Sequence, residues 1–214
     1  MNHLVITGGE GGLGKAIVSV FSDDGWIVDA PGRLQLDVTD AASIDRYFAT
    51  RQVDLLVCAA GMIRDKSLAR TSAKDWDDVF AVNYGGAANC AAAVLPGMIR
   101  RNEGHIIFIS SHSALHPPLG QIAYAAAKAA LLGLTTALAK ENGRHNIRVN
   151  AILPGFLDTP MTAAVSEARS SEILSDHALG RFNTATAVAK FTRHLHEHLP
   201  QTSAQIFQLD SRDR

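Results

Sequence analysis

His3-Leu4-Val5-Ile6-Thr7 is a short apolar run that stops at a glycine cluster, Gly8-Gly9-Glu10-Gly11-Gly12-Leu13-Gly14. A helical pattern follows at once, with Ala16, Ile17, Val20 and Phe21 apolar. A strand that passes through a glycine turn straight into a helix is the context of a dinucleotide-binding turn. The glycines let the backbone approach a pyrophosphate, and the helix N-terminus offers free N–H groups and a favourable dipole. Two spacings fit, Gly9-x-Gly11-x-x-Gly14 and Gly8-x-x-x-Gly12-x-Gly14. The turn alone also fits a tight strand-to-helix connection that holds no ligand.

Apolar strands then alternate with helical patterns along the chain. Strands are expected at 3–7, 26–30, 53–59, 104–110, 147–153 and 204–209, and helices at 13–24, 40–51, 72–100, 122–142 and 184–198. Thr39-Asp40 and Thr184 or Thr186 are suitable N-caps. The order predicts an α/β fold, a doubly wound parallel sheet covered on both faces, with a ligand across the carboxyl ends of the strands. With 214 residues, 47% of them hydrophobic, residues 1–214 are most simply one domain.

One stretch breaks the alternation. Only Pro31-Gly32-Arg33 separates the second strand from Leu34-Gln35-Leu36-Asp37-Val38. A parallel neighbour needs a crossover of roughly a dozen residues or more. The helix between strands two and three is therefore expected to be missing, and the third strand to be absent, antiparallel or an irregular edge.

Composition excludes several classes. A net charge of −1 without a basic stripe gives nucleic-acid binding no support. No apolar run of membrane-spanning length stands free of polar residues. The first strand begins so early that a signal peptide has no room. Cys58 and Cys90, the two cysteines, read as reduced thiols of a cytoplasmic protein, and Cys58 as a small buried hydrophobe. His194 and His198 share a helix face, but no carboxylate or thiol converges on them, so no metal site is expected.

Tyr124 and Lys128 stand four residues apart on the Ala-rich 122–142 segment, with Ser111 thirteen residues upstream of Tyr124. That spacing puts phenol and ammonium on one helix face. An ammonium beside a phenol lowers its pKa, and such a phenol can exchange a proton with a carbonyl or alcohol oxygen. The pair alone also fits an ordinary solvated helix face.

Thr7-Gly8-x-x-x-Gly12-x-Gly14 followed by Tyr124-x-x-x-Lys128 resembles the short-chain dehydrogenase/reductase family in its ordinary, non-extended form. The likeness runs along nearly the whole chain. Asn83, in Val82-Asn83-Tyr84-Gly85, matches the family's fourth catalytic position, and Ile109-Ser110-Ser111 its strand-end serine, Ser111 by spacing. Val149 to Thr159 looks like the segment beside the nicotinamide, with its Pro154-Gly155 turn and a threonine that bonds the carboxamide. The resemblance implies a Rossmann fold, catalytic Asn83, Ser111, Tyr124 and Lys128, and a cofactor lying along Gly8, Glu10, Gly12, Leu13, Gly14, Arg33, Asp37, Val38, Ala60, Gly61, Asn83, Tyr124, Lys128, Pro154, Gly155, Leu157 and Thr159. It departs from the family at Cys58-Ala59-Ala60-Gly61, where Asn-Asn-Ala-Gly is usual, and at its C-terminus, where Asp210-Ser211 replaces Gly-Gly. The latter is expected to alter subunit packing more than chemistry.

Cofactor choice turns on the end of strand two, where an acid holds the ribose of NAD and an arginine accommodates the phosphate of NADP. The acid position is Gly32, and Arg33 follows it, which favours NADP. Glu10 in the glycine turn opposes a 2′-phosphate. The balance is read for NADP, with NAD as the alternative.

The implied reaction passes a hydride between a nicotinamide and a carbonyl or secondary alcohol. Tyr124 handles the proton, Lys128 tunes it and bonds the ribose, Ser111 stabilises the carbonyl oxygen, and Asn83 holds a water behind Lys128. Ala60 to Asp65, Trp76 to Val79 and Gly120 to Tyr124 look most like the 3-oxoacyl-thioester reductases. Met62, His112, Gln121, Phe156 and Met161 are candidate pocket walls, under a short polar lid at 162–179. The alternatives are an NAD-dependent dehydrogenase of a sugar or cyclic alcohol, and a nicotinamide-binding regulatory protein without turnover. A homodimer or homotetramer through the Tyr-Lys helix is the family expectation.

Overall fold

Leu4, Val5 and Ile6 point alternately to the two faces of strand β1 (His3–Thr7), and all are fully buried. The same holds for β3 (Leu55–Cys58) and β4 (Gly104–Ile109), which have no exposed residue. Strands buried on both faces belong to a parallel sheet with helices on each side. The computed structural model, which describes residues 2–22 and 25–212, shows that arrangement. Six strands, all parallel, take the order β2-β1-β3-β4-β5-β6, where β2 is Ile27–Asp29, β5 Ile147–Leu153 and β6 Ile206–Gln208.

Period-two alternation divides the core. Leu4, Ile6, Leu55, Val57, Ile107 and Ile152 face Ile17 and Phe21 of α1 (Gly12–Ser22) and Val188, Ala189 and Leu195 of α7 (Ala185–His198). Val5, Leu56, Ile106, Phe108, Val149 and Ala151 face the other way. They meet α2 (Ala41–Phe48), α4 (Gly86–Arg101) and α5 (Ile122–Asn142) through Ile44, Phe48, Cys90, Val94, Met98 and Leu131. Fully burying each large aliphatic chain contributes roughly 1.5–3 kcal/mol. By length and composition alone the helices at 73–101 and 122–145 could cross a bilayer, although neither is free of polar residues. Here both pack on the sheet instead.

The third strand is absent. Residues 34–38 form turns and irregular chain, and no helix lies between β2 and α2. Leu36 and Val38 are buried nonetheless, Val38 against Gly86, where a side chain would lie 2.8 Å from its Cβ. Asp40 caps α2 by accepting from the Ala42 N–H at 3.0 Å. Thr184 caps α7 through Ala187 N–H at 3.1 Å. The expected helix at 13–24 is present to Ser22, and its last two positions lie outside the described residues.

The helix expected over 72–100 is three pieces. After α3 (Ala73–Phe80) comes a π-helical segment, Ala81–Gly85, and then α4. Asn83 sits in that segment and donates from Nδ2 to the Val79 carbonyl, one turn back, at 2.9 Å. A side chain in the backbone ladder is a recognised cause of such a break, and π segments concentrate at functional sites. The lid contains a helix that the sequence pattern did not disclose, α6 (Glu167–Ser175), capped by Ser166.

Candidate active site

The chain leaves β1 for β2 on one side and returns to β3 on the other, so the switch point lies between the ends of β1 and β3. Thr7 Oγ1 accepts from the Ala60 N–H at 3.2 Å and ties those ends together. Gly8 has φ +71°, and a Cβ on it would stand 2.8 Å from Ala60 Cα. Both the dihedral and the space demand glycine. The N–H of Gly11 closes the turn on the Gly8 carbonyl at 3.0 Å. A Cβ on Gly12 would lie 2.9 Å from that of Thr159, so the glycine turn and the segment after β5 face each other closely. Gly155, with φ +83°, turns that segment, and Leu157 anchors it in the core. This glycine-rich turn at the N-terminus of α1 fits a dinucleotide's pyrophosphate.

Ser111, Tyr124, Lys128 and Asn83 come from β4's end, α5 and the π segment. Lys128 is buried, and its Nζ donates to the Ile109 carbonyl at 2.8 Å. Burial pulls its pKa down to about 8. The Nζ stands 5.7 Å from the centre of the Tyr124 ring. Ser111 lies by the Tyr124 phenol and favours its ionised form, while its Oγ accepts from the Ser113 N–H at 3.1 Å. Ser110 points elsewhere: its hydroxyl donates to the Lys128 carbonyl at 2.9 Å, inside the core.

One electrostatic expectation is corrected. Lys128 does not lower the Tyr124 pKa in this structure. Crowding around the hydroxyl is the largest influence and pushes the pKa up, Ser111 opposes it, and the Asp65 carboxylate pushes it further up. The ammonium is engaged by a backbone carbonyl and does not meet the phenol oxygen.

Asn83 works as a clamp. Its Nδ2 also donates to the Met62 carbonyl at 2.8 Å, and its Oδ1 accepts from the Met62 N–H at 3.3 Å. Gly61 lies inside the junction: a Cβ there would be 2.9 Å from Asn83 Oδ1 and 3.8 Å from Lys128 Nζ.

Around this group, Met62 packs with Trp76, Tyr84 and Tyr124, and the end of Met161 approaches Gly61. Gln121 is held by Ser113 at 3.0 Å and by Asp65 at 2.8 Å. Phe156 packs on Phe182 with ring centres 4.6 Å apart. His112 stacks near His116, and its pKa falls to about 4 through desolvation and the Arg212 charge, with Asp210 opposing.

Sequence reasoning missed the C-terminal tail. Asp210 is fully buried and pairs with Arg212 at 2.6 Å. Its Cβ lies 2.6 Å from where Gly155 would carry one. Nothing in the linear order joins residues 112, 155 and 210; the juxtaposition is wholly tertiary. Asp37 spends both carboxylate oxygens in its own loop, on Thr39 and Arg33. His194 and His198 stack at 5.0 Å on α7, and no group of metal ligands occurs among the described residues. A separate cleft between α2 and α4, lined by Phe48, Arg51, Val94 and Arg101, opens near the start of β3 and carries none of these groups.

The sequence model of the short chain dehydrogenase family matches residues 2–170. A 3-oxoacyl-[acyl-carrier-protein] reductase of Thermotoga maritima is 36% identical over 212 residues, spanning 87% of this chain and 86% of the relative. An acetoacetyl-CoA reductase of Synechocystis is 34% identical over 203 residues, spanning 87% of this chain and 84% of the relative. Among solved structures, a 3-oxoacyl-[acyl-carrier protein] reductase from Brucella melitensis superposes with a TM-score of 0.91 at 25% identity, covering 97% of this chain and 89% of that one. An oxidoreductase of the short chain dehydrogenase/reductase family from Burkholderia thailandensis gives 0.88 at 28% identity, covering 98% and 91%.

Proposed function

This chain belongs to the short-chain dehydrogenase family, and we propose that it reduces the 3-oxo group of an acyl thioester. It is a nicotinamide-dependent oxidoreductase of small molecules. The relatives named as reductases of 3-oxoacyl-[acyl-carrier-protein] and of acetoacetyl-CoA support the thioester. The observation that carries the reading is the convergence of Ser111, Tyr124, Lys128 and Asn83 beside Gly61.

The hydride taken up by the carbonyl carbon would come from a reduced nicotinamide held in this site. Tyr124 gives its phenolic proton to the carbonyl oxygen, so that hydride and proton together make the alcohol. Ser111 donates a hydrogen bond to the same oxygen and stabilises its developing charge. Lys128 stands behind Tyr124 as a cation on a leash: its Nζ can exchange the Ile109 carbonyl for a ribose hydroxyl and for closer approach to the phenol. Asn83 holds the 61–62 backbone against that ammonium. Gly8, Gly12, Leu13 and Gly14 would cradle the pyrophosphate, Ala60 and Gly61 would lie along the cofactor, Pro154, Gly155, Leu157 and Thr159 would run beside the nicotinamide, and Val38 and Asp37 would lie near the adenine.

Two coarser features accompany this reading. Cys58 and Cys90 are free and buried, with thiol pKa values pushed up by burial, which supports a reducing, cytoplasmic setting. Only 39% of the most apolar stretch of the 122–145 helix is buried within the chain, which supports a homodimer or homotetramer covering α5.

The test follows nicotinamide absorbance with purified protein and acetoacetyl-CoA, running NADH and NADPH side by side. Oxidation of either cofactor is the expected result. Oxidation of neither, with activity on cyclic or sugar alcohols instead, would replace the thioester by the dehydrogenase reading. Tight binding without turnover on any carbonyl would make the protein a binding module.

A further inference from the structure

We infer that the Glu10 carboxylate, seated over Gly32, binds the adenosine ribose hydroxyls and makes this protein select NAD(H) over NADP(H). The inference rests on the nicotinamide-binding reading above and is independent of the substrate.

Dinucleotide sites of this kind read the ribose with a side chain about twenty residues beyond the glycine turn, an acid for the 2′-hydroxyl or an arginine for a 2′-phosphate. Here that place is Gly32, which has no side chain. The preceding acid is not available. Asp29, the last residue of β2, is paired with Val5, and its Oδ2 accepts from Arg51 Nε at 2.9 Å and lies 3.2 Å from His3 Nε2.

The missing volume is filled from the opposite wall. A Cβ on Gly32 would stand 2.6 Å from the Glu10 carboxyl carbon and 2.7 Å from its Oε2. The carboxylate therefore occupies the space that an aspartate at position 32 would take. Backbone contact sets this reach. A Cβ on Gly9 would lie 2.8 Å from Ala30 Cα, so the glycine turn and the end of β2 touch directly. Glu10 is exposed and its carboxylate is the flexible end of the side chain, so a side chain at 32 would meet it and displace it from this place. Among the described residues no hydrogen bond or ion pair engages Glu10, so both oxygens are free to accept from a diol.

Arg33 is the competitor that favoured NADP in the sequence. Its Nε bonds Asp37 Oδ2 at 3.1 Å, and its side chain is 80% exposed. An acid of its own loop holds its Nε, in a solvent-exposed pair. A 2′-phosphate placed by this site would meet the Glu10 carboxylate at close range and repel it.

The experiment measures dissociation constants of NADH and NADPH on the full chain by cofactor fluorescence, without substrate. The wild type is expected to bind NADH at least about 10-fold more tightly. Glu10→Gln should weaken NADH, tighten NADPH and shrink their ratio about 10-fold. Glu10→Ala combined with Gly32→Asp returns the carboxylate to position 32 and should restore the NADH preference. A wild type that prefers NADPH, or a ratio unchanged in Glu10→Gln, overturns the inference. Binding of neither dinucleotide overturns it together with the cofactor reading, whereas failure to reduce acetoacetyl-CoA leaves the binding ratio intact and strikes only the substrate.

Discussion

The Lys128 ammonium donates to the Ile109 carbonyl at 2.8 Å and stops 5.7 Å from the centre of the Tyr124 ring. Acid and cation are therefore on the same side of α5 but not yet coupled. The phenol, pushed up in pKa by its surroundings, is a proton store.

Tyr124→Phe removes the proton donor and keeps the ring in its apolar cluster with Val79 and Ala127. Turnover should fall about 1000-fold, within the range of general acid–base contributions. The nicotinamide dissociation constant should change little. A variant with wild-type turnover would refute the proton-donor role.

Lys128 titrates near pH 8 when buried in the free protein. Reduction measured as kcat/KM should decline as pH rises through about 8, because that ratio reports the free enzyme. The stability effect has the opposite slope. The folded pKa lies below the ordinary value of 10.5, so the unfolded chain holds more protons between about 8 and 10.5. Lys128's burial penalty therefore shrinks as pH rises through that window. Lys128→Met should raise the melting temperature while abolishing turnover.

Gly61→Ala should injure the site without unfolding the protein. The new methyl would stand 2.9 Å from Asn83 Oδ1 and press on the Asn83–Met62 clamp. Turnover is expected to drop about 100-fold, as displacements of about 1 Å near reacting groups do. Circular dichroism should remain unchanged.

His105 and His196 share a hydrogen bond, Nδ1 to Nδ1 at 3.3 Å, beside Arg148. Desolvation, Arg148 and the neighbouring imidazole hold His105 well below its ordinary range, and desolvation and Arg148 bring His196 down to about 4. Both pKa values are depressed on folding. Stability is thus complete above the unfolded value of 6.5 and lost as pH falls from there toward 4. Urea midpoints should fall between pH 7 and pH 5. His196→Phe should flatten that dependence.

Arg212→Met leaves the buried Asp210 side chain with the Gln208 amide but without its guanidinium partner at the Gly155 turn. Breaking a buried pair typically costs about 3–5 kcal/mol. Urea unfolding should register the loss at neutral pH. Arg212→Lys should recover part of it.

Much of this site is legible in one dimension because it uses short-range rules. A spacing of four puts Tyr124 and Lys128 on one face of α5, and the spacing back from Tyr124 distinguishes Ser111 from Ser110. The three residues Pro31-Gly32-Arg33 cannot make a parallel crossover, which left the third strand absent, antiparallel or irregular, and the structure has no strand there. The π segment was not legible, because a backbone break at Asn83 depends on Val79 and Met62 accepting together. The sign of the Tyr124 shift was not legible either, since desolvation depends on what packs around a group.

The sequence by itself determined the alternation of elements, the glycine turn, and the face shared by acid and cation, because periodicity and turn stereochemistry are local. Tertiary structure alone decided three pairings: Lys128 with the Ile109 carbonyl, Asp210 against Gly155, and Glu10 over Gly32. Each joins residues from different elements through space that only packing creates. In the last, the residue missing from one wall is supplied by the other, which no count along the chain reveals.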